Sequence, residues 1–233
     1  MKITGLLTTL IILLGINAFA QQGANFTHYM HNSLAVNPAY AGTRNALTAT
    51  ILHRNQWVGF EGSPKTYTFT IHSPIIRENI GLGLSMVNDV IGPITTTSVH
   101  ADFSYHLRVS ENAKLAMGLK AGLNHLRAGL SELSLDDQRP DPAFLHDFEG
   151  RLLPDFGVGF YLFTENWHVG LSAPKLLNND LISNTTTSSL LARDIAYFIS
   201  AGYIINYPGE ISIIPSTLIR AVRGARIVAD ISV

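Results

Sequence analysis

The feature of this sequence that most constrains its fold is the alternation of apolar and polar residues over long stretches. The runs Ser98 to Arg108 and Lys114 to Asn124 place an apolar side chain at every second position without a break. Successive side chains of a strand point to opposite faces, so a period of two predicts strands with one apolar and one polar face. Ten such stretches predict an all-β, antiparallel fold: Ala46–Arg54, Lys65–Ser73, Asn79–Val87, Ser98–Arg108, Lys114–Asn124, Asp155–Leu162, Trp167–Ala173, Asp194–Asn206, Glu210–Val222 and Arg226–Val233.

Strand length and the composition of the polar face distinguish a soluble β-sandwich from a transmembrane β-barrel. Strands of soluble proteins are usually about 5 to 6 residues long, whereas a strand that crosses a bilayer needs roughly 9 to 11. Several of the ten stretches reach the longer figure, and only 14% of all residues are charged. The polar faces carry glycine, serine and threonine where a solvated face would carry lysine and glutamate. We therefore expect a transmembrane β-barrel with its apolar face towards lipid and its polar face towards a lumen.

The first residues predict export. A basic start, a short apolar stretch and the sequence Ala18-Phe19-Ala20 are typical of a cleaved secretory signal peptide over residues 1–20. Beyond it no apolar stretch approaches the roughly 18 residues of a spanning helix. The predicted organisation is a signal peptide (1–20), a periplasmic lead-in segment (21–45) and a barrel domain (46–233). Together these features predict a location in the outer membrane.

The connections between the predicted strands alternate in length. Long connections at Asn55 to Pro64, Asn88 to Ile94, Ala128 to Leu153 and Pro174 to Arg193 alternate with short ones. Outer-membrane barrels have short periplasmic turns and long outer loops. We therefore expect the Asn55 to Pro64 loop to face outward and the lead-in segment to lie at the periplasmic end.

Charge and cysteine content exclude several function classes. The 16 basic and 17 acidic residues nearly cancel, so no positive field favours nucleic acid. Without any cysteine, the chain has no thiolate ligand or thiol nucleophile. The acidic residues between Ser134 and Arg151 lack the spacing of a calcium loop and are typical of a solvated loop. No cofactor or metal is predicted.

One polar strand face contains the residue types of a hydrolase or a metal site. Ser98, His100, Asp102, Ser104 and His106 share this face. Residues two apart on a strand lie about 6.6 Å apart along its axis, which is too far for the hydrogen bond between a nucleophile and its base. We expect His100, Asp102, His106 and, on the next strand, Lys120 to line the lumen. No enzymatic activity is predicted.

Three blocks near the N-terminus carry a resemblance to a known family. Asn37-Pro38-Ala39-Tyr40-Ala41-Gly42, then Arg54-Asn55-Gln56-Trp57-Val58-Gly59, then Gly62-Ser63-Pro64-Lys65-Thr66 follow one another closely. In this order they resemble the N-terminal signature of the PorP/SprF family, outer-membrane barrels of the type IX secretion and gliding machinery of Bacteroidota. The resemblance covers most of the mature chain and carries over no catalytic residue.

The resemblance implies function through protein contacts. It predicts a barrel that supports export or surface anchoring of secreted proteins such as adhesins, with other type IX secretion components as partners. The residues expected at partner contacts are Asn37, Pro38, Tyr40, Gly42, Arg54, Asn55, Gln56, Trp57 and Gly59. Anchoring at the membrane interface is the alternative role for Trp57.

Two alternatives remain open from the sequence. A closed barrel of ten strands satisfies the even strand number of outer-membrane barrels. Members of the family extend several strands beyond the position that matches Val233, so the resemblance implies instead about fourteen strands in the native barrel and a truncated edge in this chain. The second alternative is functional. A barrel with a polar lumen is also the architecture of a channel or transporter for a small solute.

Overall fold

The computed structural model describes residues 29–75, 79–129, 148–177, 195–207, 211–222 and 225–233. The predicted signal peptide and most of the acidic stretch between Ser134 and Arg151 lie outside these residues. The helical content is confined to the short helix α1 (Ser33–Val36) and a 3-10 helix (Pro38–Tyr40) within the described ranges. None of the described helices is long and apolar enough to cross a membrane.

The remaining described elements are strands. Their bounds are β1 (Thr48–Asn55), β2 (Lys65–Pro74), β3 (Ile80–Ile91), β4 (Ile94–Arg108), β5 (Lys114–Ala128), β6 (Phe148–Phe163), β7 (Trp167–Ala173), β8 (Ala196–Tyr203), β9 (Ile205–Tyr207), β10 (Ile211–Ile213), β11 (Ser216–Val222) and β12 (Val228–Ser232). Ten of them form one sheet in the order β1-β2-β3-β4-β5-β6-β7-β8-β11-β12. Every neighbouring pair in this order is antiparallel. The predicted all-β antiparallel sheet is confirmed.

Two predicted strands are each divided in the structure. The stretch Asp194–Asn206 becomes β8 and β9, and the stretch Glu210–Val222 becomes β10 and β11. The short strands β9 and β10 pair only with each other and form a separate hairpin within the described residues. Pro215 lies directly before β11. Because proline has no backbone N–H to donate to a ladder, this position ends the pairing that a continuous strand would make.

The prediction of a long loop from Asn88 to Ile94 is wrong. β3 continues to Ile91 and β4 starts at Ile94, and these two residues are paired across a turn formed by Gly92 and Pro93. Gly92 has φ +54°, in the left-handed region that tight hairpin turns require at their first central residue. Glycine adopts it without steric cost. The alternation of long and short connections therefore fails at this hairpin.

The two faces of the sheet are the reverse of those of a soluble protein. In β4 the polar residues Ser98, His100 and Asp102 are buried, while Val99 and Phe103 between them are exposed. The same pattern, with its apolar side exposed, runs along β5. An exposed apolar face is costly in water and favourable in hydrocarbon. This is the arrangement that a membrane-spanning barrel requires.

The sheet curls around the N-terminal segment. The Tyr29 hydroxyl lies 3.1 Å from Ser232 Oγ of β12, and Asn32 Oδ1 accepts a hydrogen bond of 2.9 Å from Thr70 of β2. In a flat sheet, β2 and β12 would lie about 38 Å apart across eight strand spacings, whereas three residues span about 10 Å at most. The sheet must therefore curve so that β12 approaches β2. The edge strands β1 and β12 do not pair with each other in the described residues.

Candidate functional site

The buried polar face of the sheet, called here the inner face, is covered by the N-terminal segment. Residues 29–45, the described part of the predicted lead-in segment, precede β1 and lie against this face. The side chains of Leu34 and Val36 and the residues Ala39 and Ala41 are nearly or fully inaccessible. The lead-in segment is thus a packed part of the fold.

Asn37 determines the local conformation of this segment. Its side-chain oxygen accepts a hydrogen bond of 3.0 Å from the backbone N–H of Ala39 and so caps the 3-10 helix. Pro38 occupies the first helical position, where its missing N–H costs nothing. The other end of the Asn37 amide donates to the Phe160 carbonyl of β6 at 3.0 Å. One side chain therefore shapes the turn and attaches it to the sheet.

Glycines on the inner face allow the backbone of the lead-in segment to come close. A Cβ at Gly118 would lie 2.1 Å from the backbone nitrogen of Ala39, and one at Gly81 would lie 2.1 Å from the carbonyl oxygen of Ala41. A Cβ at Gly159 would collide with Asn37 Oδ1 at the same distance. Any larger residue would displace the segment.

Polar side chains of three strands bind the backbone carbonyls of the lead-in segment. Lys120 Nζ donates to the Leu34 carbonyl at 3.3 Å, and Ser172 Oγ donates to the Val36 carbonyl at 2.6 Å. Ser104 Oγ donates to the Ala41 carbonyl. We call these three donors and the glycines Gly81, Gly118 and Gly159 the seat of the lead-in segment.

One donor of the seat, Lys120, also forms a buried ion pair. Lys120 Nζ is 3.2 Å from Asp102 Oδ1, and both side chains are almost completely buried. Ser85 bridges the pair, because its hydroxyl donates to Asp102 Oδ2 at 2.8 Å and accepts from Lys120 Nζ at 3.1 Å. The contact at Asp102 Oδ1 is electrostatic and lacks the angle of a hydrogen bond. A buried charge of this kind is tolerated because it is paired.

A second polar group surrounds Asp155 of β6. Asp155 Oδ2 accepts a hydrogen bond of 3.0 Å from Asn124 and lies 3.4 Å from His100 Nε2. Ser98 donates to Asn124. Asp155 Oδ1 is buried without a hydrogen-bond partner. Within the described ranges, no group of three or more histidine, aspartate or glutamate side chains has the geometry to hold a metal ion.

The expectation that residues two apart on β4 cannot be hydrogen-bonded is wrong for one pair. Ser104 Oγ lies 2.9 Å from His106 Nε2. The strand rise separates the backbones, but the long imidazole side chain carries its Nε2 back towards Ser104. Both groups also contact the Ala41 carbonyl, the histidine at 3.0 Å, and both are buried. This pair therefore holds the lead-in segment.

The block Arg54 to Gly59 lies at the opposite end of β1 from the lead-in segment. Asn55 ends β1, and the following loop consists of tight turns in which Trp57 and Gly59 have positive φ, +51° and +98°. The left-handed region costs a residue other than glycine roughly 1 to 2 kcal/mol. The Trp57 side chain is 71% exposed, and Val58 and Phe60 beside it are also exposed. The loop presents an apolar cluster outward.

The structure separates the two groups of expected contact residues. Asn37, Pro38 and Gly42 are buried, and Tyr40 packs edge-on against His72 and Tyr161. Trp57, Asn55 and Gly59 are exposed, while Arg54 and Gln56 are half-buried. Partner contact through either group stays a prediction.

The four expected lumen residues all lie on the buried inner face. His100 lies beside Asp155, and Asp102 pairs with Lys120. His106 and Lys120 contact backbone carbonyls of the lead-in segment, which covers this face. Sequence reasoning placed Ser85 and Asn124 on the polar face without assigning them a contact, and it missed Tyr29, Asn32, Asp155 and Ser172. Asp155 and Ser172 occupy the polar phase of their strands, a signal available in the sequence. Tyr29 and Asn32 precede any periodic stretch and give no such signal.

A family model described as type IX secretion system membrane protein PorP/SprF matches residues 18–233. Searches of curated proteins and of solved structures find no match.

Proposed function

The chain belongs to the PorP/SprF family of type IX secretion system membrane proteins, and on this premise we propose that it is an outer-membrane β-barrel component of the type IX secretion and gliding machinery. It supports the export or surface anchoring of secreted proteins such as adhesins through protein contacts. The family match over residues 18–233 is the observation that carries this proposal.

The arrangement of the two faces supports a barrel in the outer membrane. The exposed face of β4 and β5 presents Val99, Phe103, Leu119 and Leu123, a surface that lipid would cover favourably. We propose that residues 1–20 direct export and that the lead-in segment enters from the periplasmic end. In support, Gly42 lies against Gly81 at the start of β3, at the end of the sheet opposite the long β1–β2 loop.

The outer loop is the best candidate for a contact with exported or surface proteins. Trp57 is exposed on a turn with defined geometry, and tryptophan is among the residues most enriched at energetically important contacts. The loop is also tied to the β3–β4 turn, because Gly92 N donates to the Gly62 carbonyl at 2.9 Å. A fixed apolar loop loses little entropy when a partner binds.

A channel for a small solute is the weaker candidate. Its expected lumen residues His100, Asp102, His106 and Lys120 are buried and engaged in contacts within the chain. A conducting pore would require such residues to contact water and solute. The proposed role therefore rests on protein contacts, and no catalytic role is proposed.

We expect the mature protein, beginning near Gln21, to fractionate with the outer membrane. On a detergent gel, the unboiled protein should migrate differently from the boiled protein, because a closed barrel resists detergent until it is heated. Recovery of the protein in the soluble periplasmic fraction would contradict the proposed location.

We expect the triple substitution Arg54→Ala, Gln56→Ala and Trp57→Ala to abolish surface display of the exported partner while the barrel still inserts. Loss of one tryptophan at the centre of a contact costs about 2 kcal/mol or more, which weakens binding roughly thirtyfold. The measurement is the secreted and surface-exposed proteome of a deletion strain complemented with each variant.

The matched control is Trp167→Ala. Trp167 starts β7 at the opposite end of the sheet, so its removal should leave export unchanged. Normal export in the deletion strain would refute the secretion role. Equal loss with both variants would show that the outer loop is not the specific contact.

A further inference from the structure

The lead-in segment occupies the inner face through contacts of its main chain as well as through the side chains of Tyr29, Asn32 and Asn37. We propose that the seat is a peptide-binding site filled by this chain's own residues 29–42, and that the barrel conducts ions only when this segment leaves it. The inference rests on the proposed outer-membrane barrel and is independent of the secretion role, since ion conductance and protein export are measured separately.

The seat holds the main chain of the segment, which runs through α1 and the 3-10 helix, close against the sheet. Lys120, Ser172 and Ser104 all donate to main-chain carbonyls of the segment. Gly81 and Gly118 lack side chains at the points where the backbone of Ala41 and of Ala39 contacts the sheet. Such a site binds the main chain of the segment and requires small residues at positions 39 and 41.

At the end of the seated segment, the segment donates a hydrogen bond to the sheet. The backbone N–H of Gly42 donates to His72 Nδ1 at 3.1 Å. Gly42 has φ +69°, and a Cβ there would lie 2.6 Å from the Cα of Gly81. Only glycine both adopts this conformation and fits this gap. The segment therefore leaves the seat at a defined point before β1.

The seated segment reaches both sides of the curled sheet. Tyr29 contacts Ser216 of β11 and Ser232 of β12, whereas Asn37 contacts Phe160 of β6 and Ala39 lies against Gly118 of β5. Between these ends, Val36 packs in an apolar cluster with Tyr29, Phe198 and Leu218. A segment that spans the inner face in this way lies across any path through the barrel.

The first test measures ion conductance in planar bilayers for two variants, one with a substitution in the seat and one with a substitution on the exposed outer face. Gly118→Leu places a side chain where Ala39 lies, and we expect it to unseat the segment and raise conductance about tenfold or more. The matched control is Ala121→Leu, which adds a similar volume to the exposed outer face of the same strand and should leave conductance unchanged. A Gly118→Leu barrel that inserts and conducts no more than wild type would overturn the proposal.

The second test uses a disulfide in the otherwise wild-type barrel. The chain has no cysteine, so the pair Asn32→Cys and Thr70→Cys introduces a single possible bridge between the segment and β2. Their present side-chain oxygens lie 2.9 Å apart. We expect this bridge to form nearly completely in native membranes and to keep conductance at its low wild-type value.

The control pair is Asn88→Cys and Thr97→Cys. Their side chains are hydrogen-bonded at 2.8 Å between β3 and β4. Formation of the control bridge without the Asn32 to Thr70 bridge would overturn the proposal even if Gly118→Leu does not assemble. A barrel of the Asn32→Cys, Thr70→Cys variant that conducts as an open pore while the bridge is formed would overturn it as well.

Discussion

Replacing Lys120 with methionine is expected to lower the free energy of unfolding by about 3 to 5 kcal/mol, since it leaves the buried Asp102 carboxylate without its cation. Methionine preserves most of the side-chain volume, so the loss reflects charge more than packing. The same change removes one hydrogen bond to the Leu34 carbonyl and one to Ser85. Denaturant unfolding of the barrel refolded into lipid vesicles measures the difference.

The double variant Asp102→Asn with Lys120→Met is the control for this prediction. The double variant removes both charges and so leaves no buried carboxylate without a cation. It should therefore be more stable than Lys120→Met alone. Additive losses in the double variant would show that the two residues do not interact energetically. That result would contradict the ion pair seen at 3.2 Å.

Arginine at Leu119 is expected to lower the free energy of unfolding in lipid by about 2 to 4 kcal/mol. Leu119 lies on the exposed face of β5, away from the strand ends, and is paired with Phe103 of β4. A cation near the middle of the bilayer loses its hydration, and the same variant should be tolerated if this face contacts water. Unfolding from vesicles by denaturant, followed by the shift between folded and unfolded bands on gels, gives the value.

Val109→Arg provides the matched control for depth. Val109 directly follows β4 and is also exposed, but it lies at the end of the strand. The cost of arginine falls to about 0 to 1 kcal/mol near the membrane interface. Equal and small losses at both positions would contradict the orientation of the sheet in lipid. The inner-face residue Gly118 is unsuitable for this comparison, because an arginine there collides with Ala39.

The alternation of residues was sufficient to predict the sheet and its two faces. Val99 and Phe103 on one side and His100 and Asp102 on the other lie as their period of two predicts. The boundary between β3 and β4 was missed because Asn88 to Ile94 contains polar residues typical of loops. In the structure Asn88 instead donates to Thr97 across the hairpin.

What fills the inner face was not predictable from the alternation. A period of two indicates which side chains share a face, but it carries no information on what covers that face. Asn37 and Pro38 were expected to contact a partner, and only long-range contacts show them against Gly118 and Gly159 of the sheet. Glycines in the polar phase of β5 and β6 were interpreted as lumen lining. Their close approach to another backbone depends on residues far away in sequence.

The hydrogen bond between Tyr29 and Ser232 has a consequence for the order of folding. It joins positions 203 residues apart, while every strand pair of the sheet up to β8 links strands adjacent in sequence. Contacts of such separation form late, because the chain between them must first be ordered. We therefore expect the strands from β1 to β8 to assemble by hairpin addition and β12 to reach Tyr29 last.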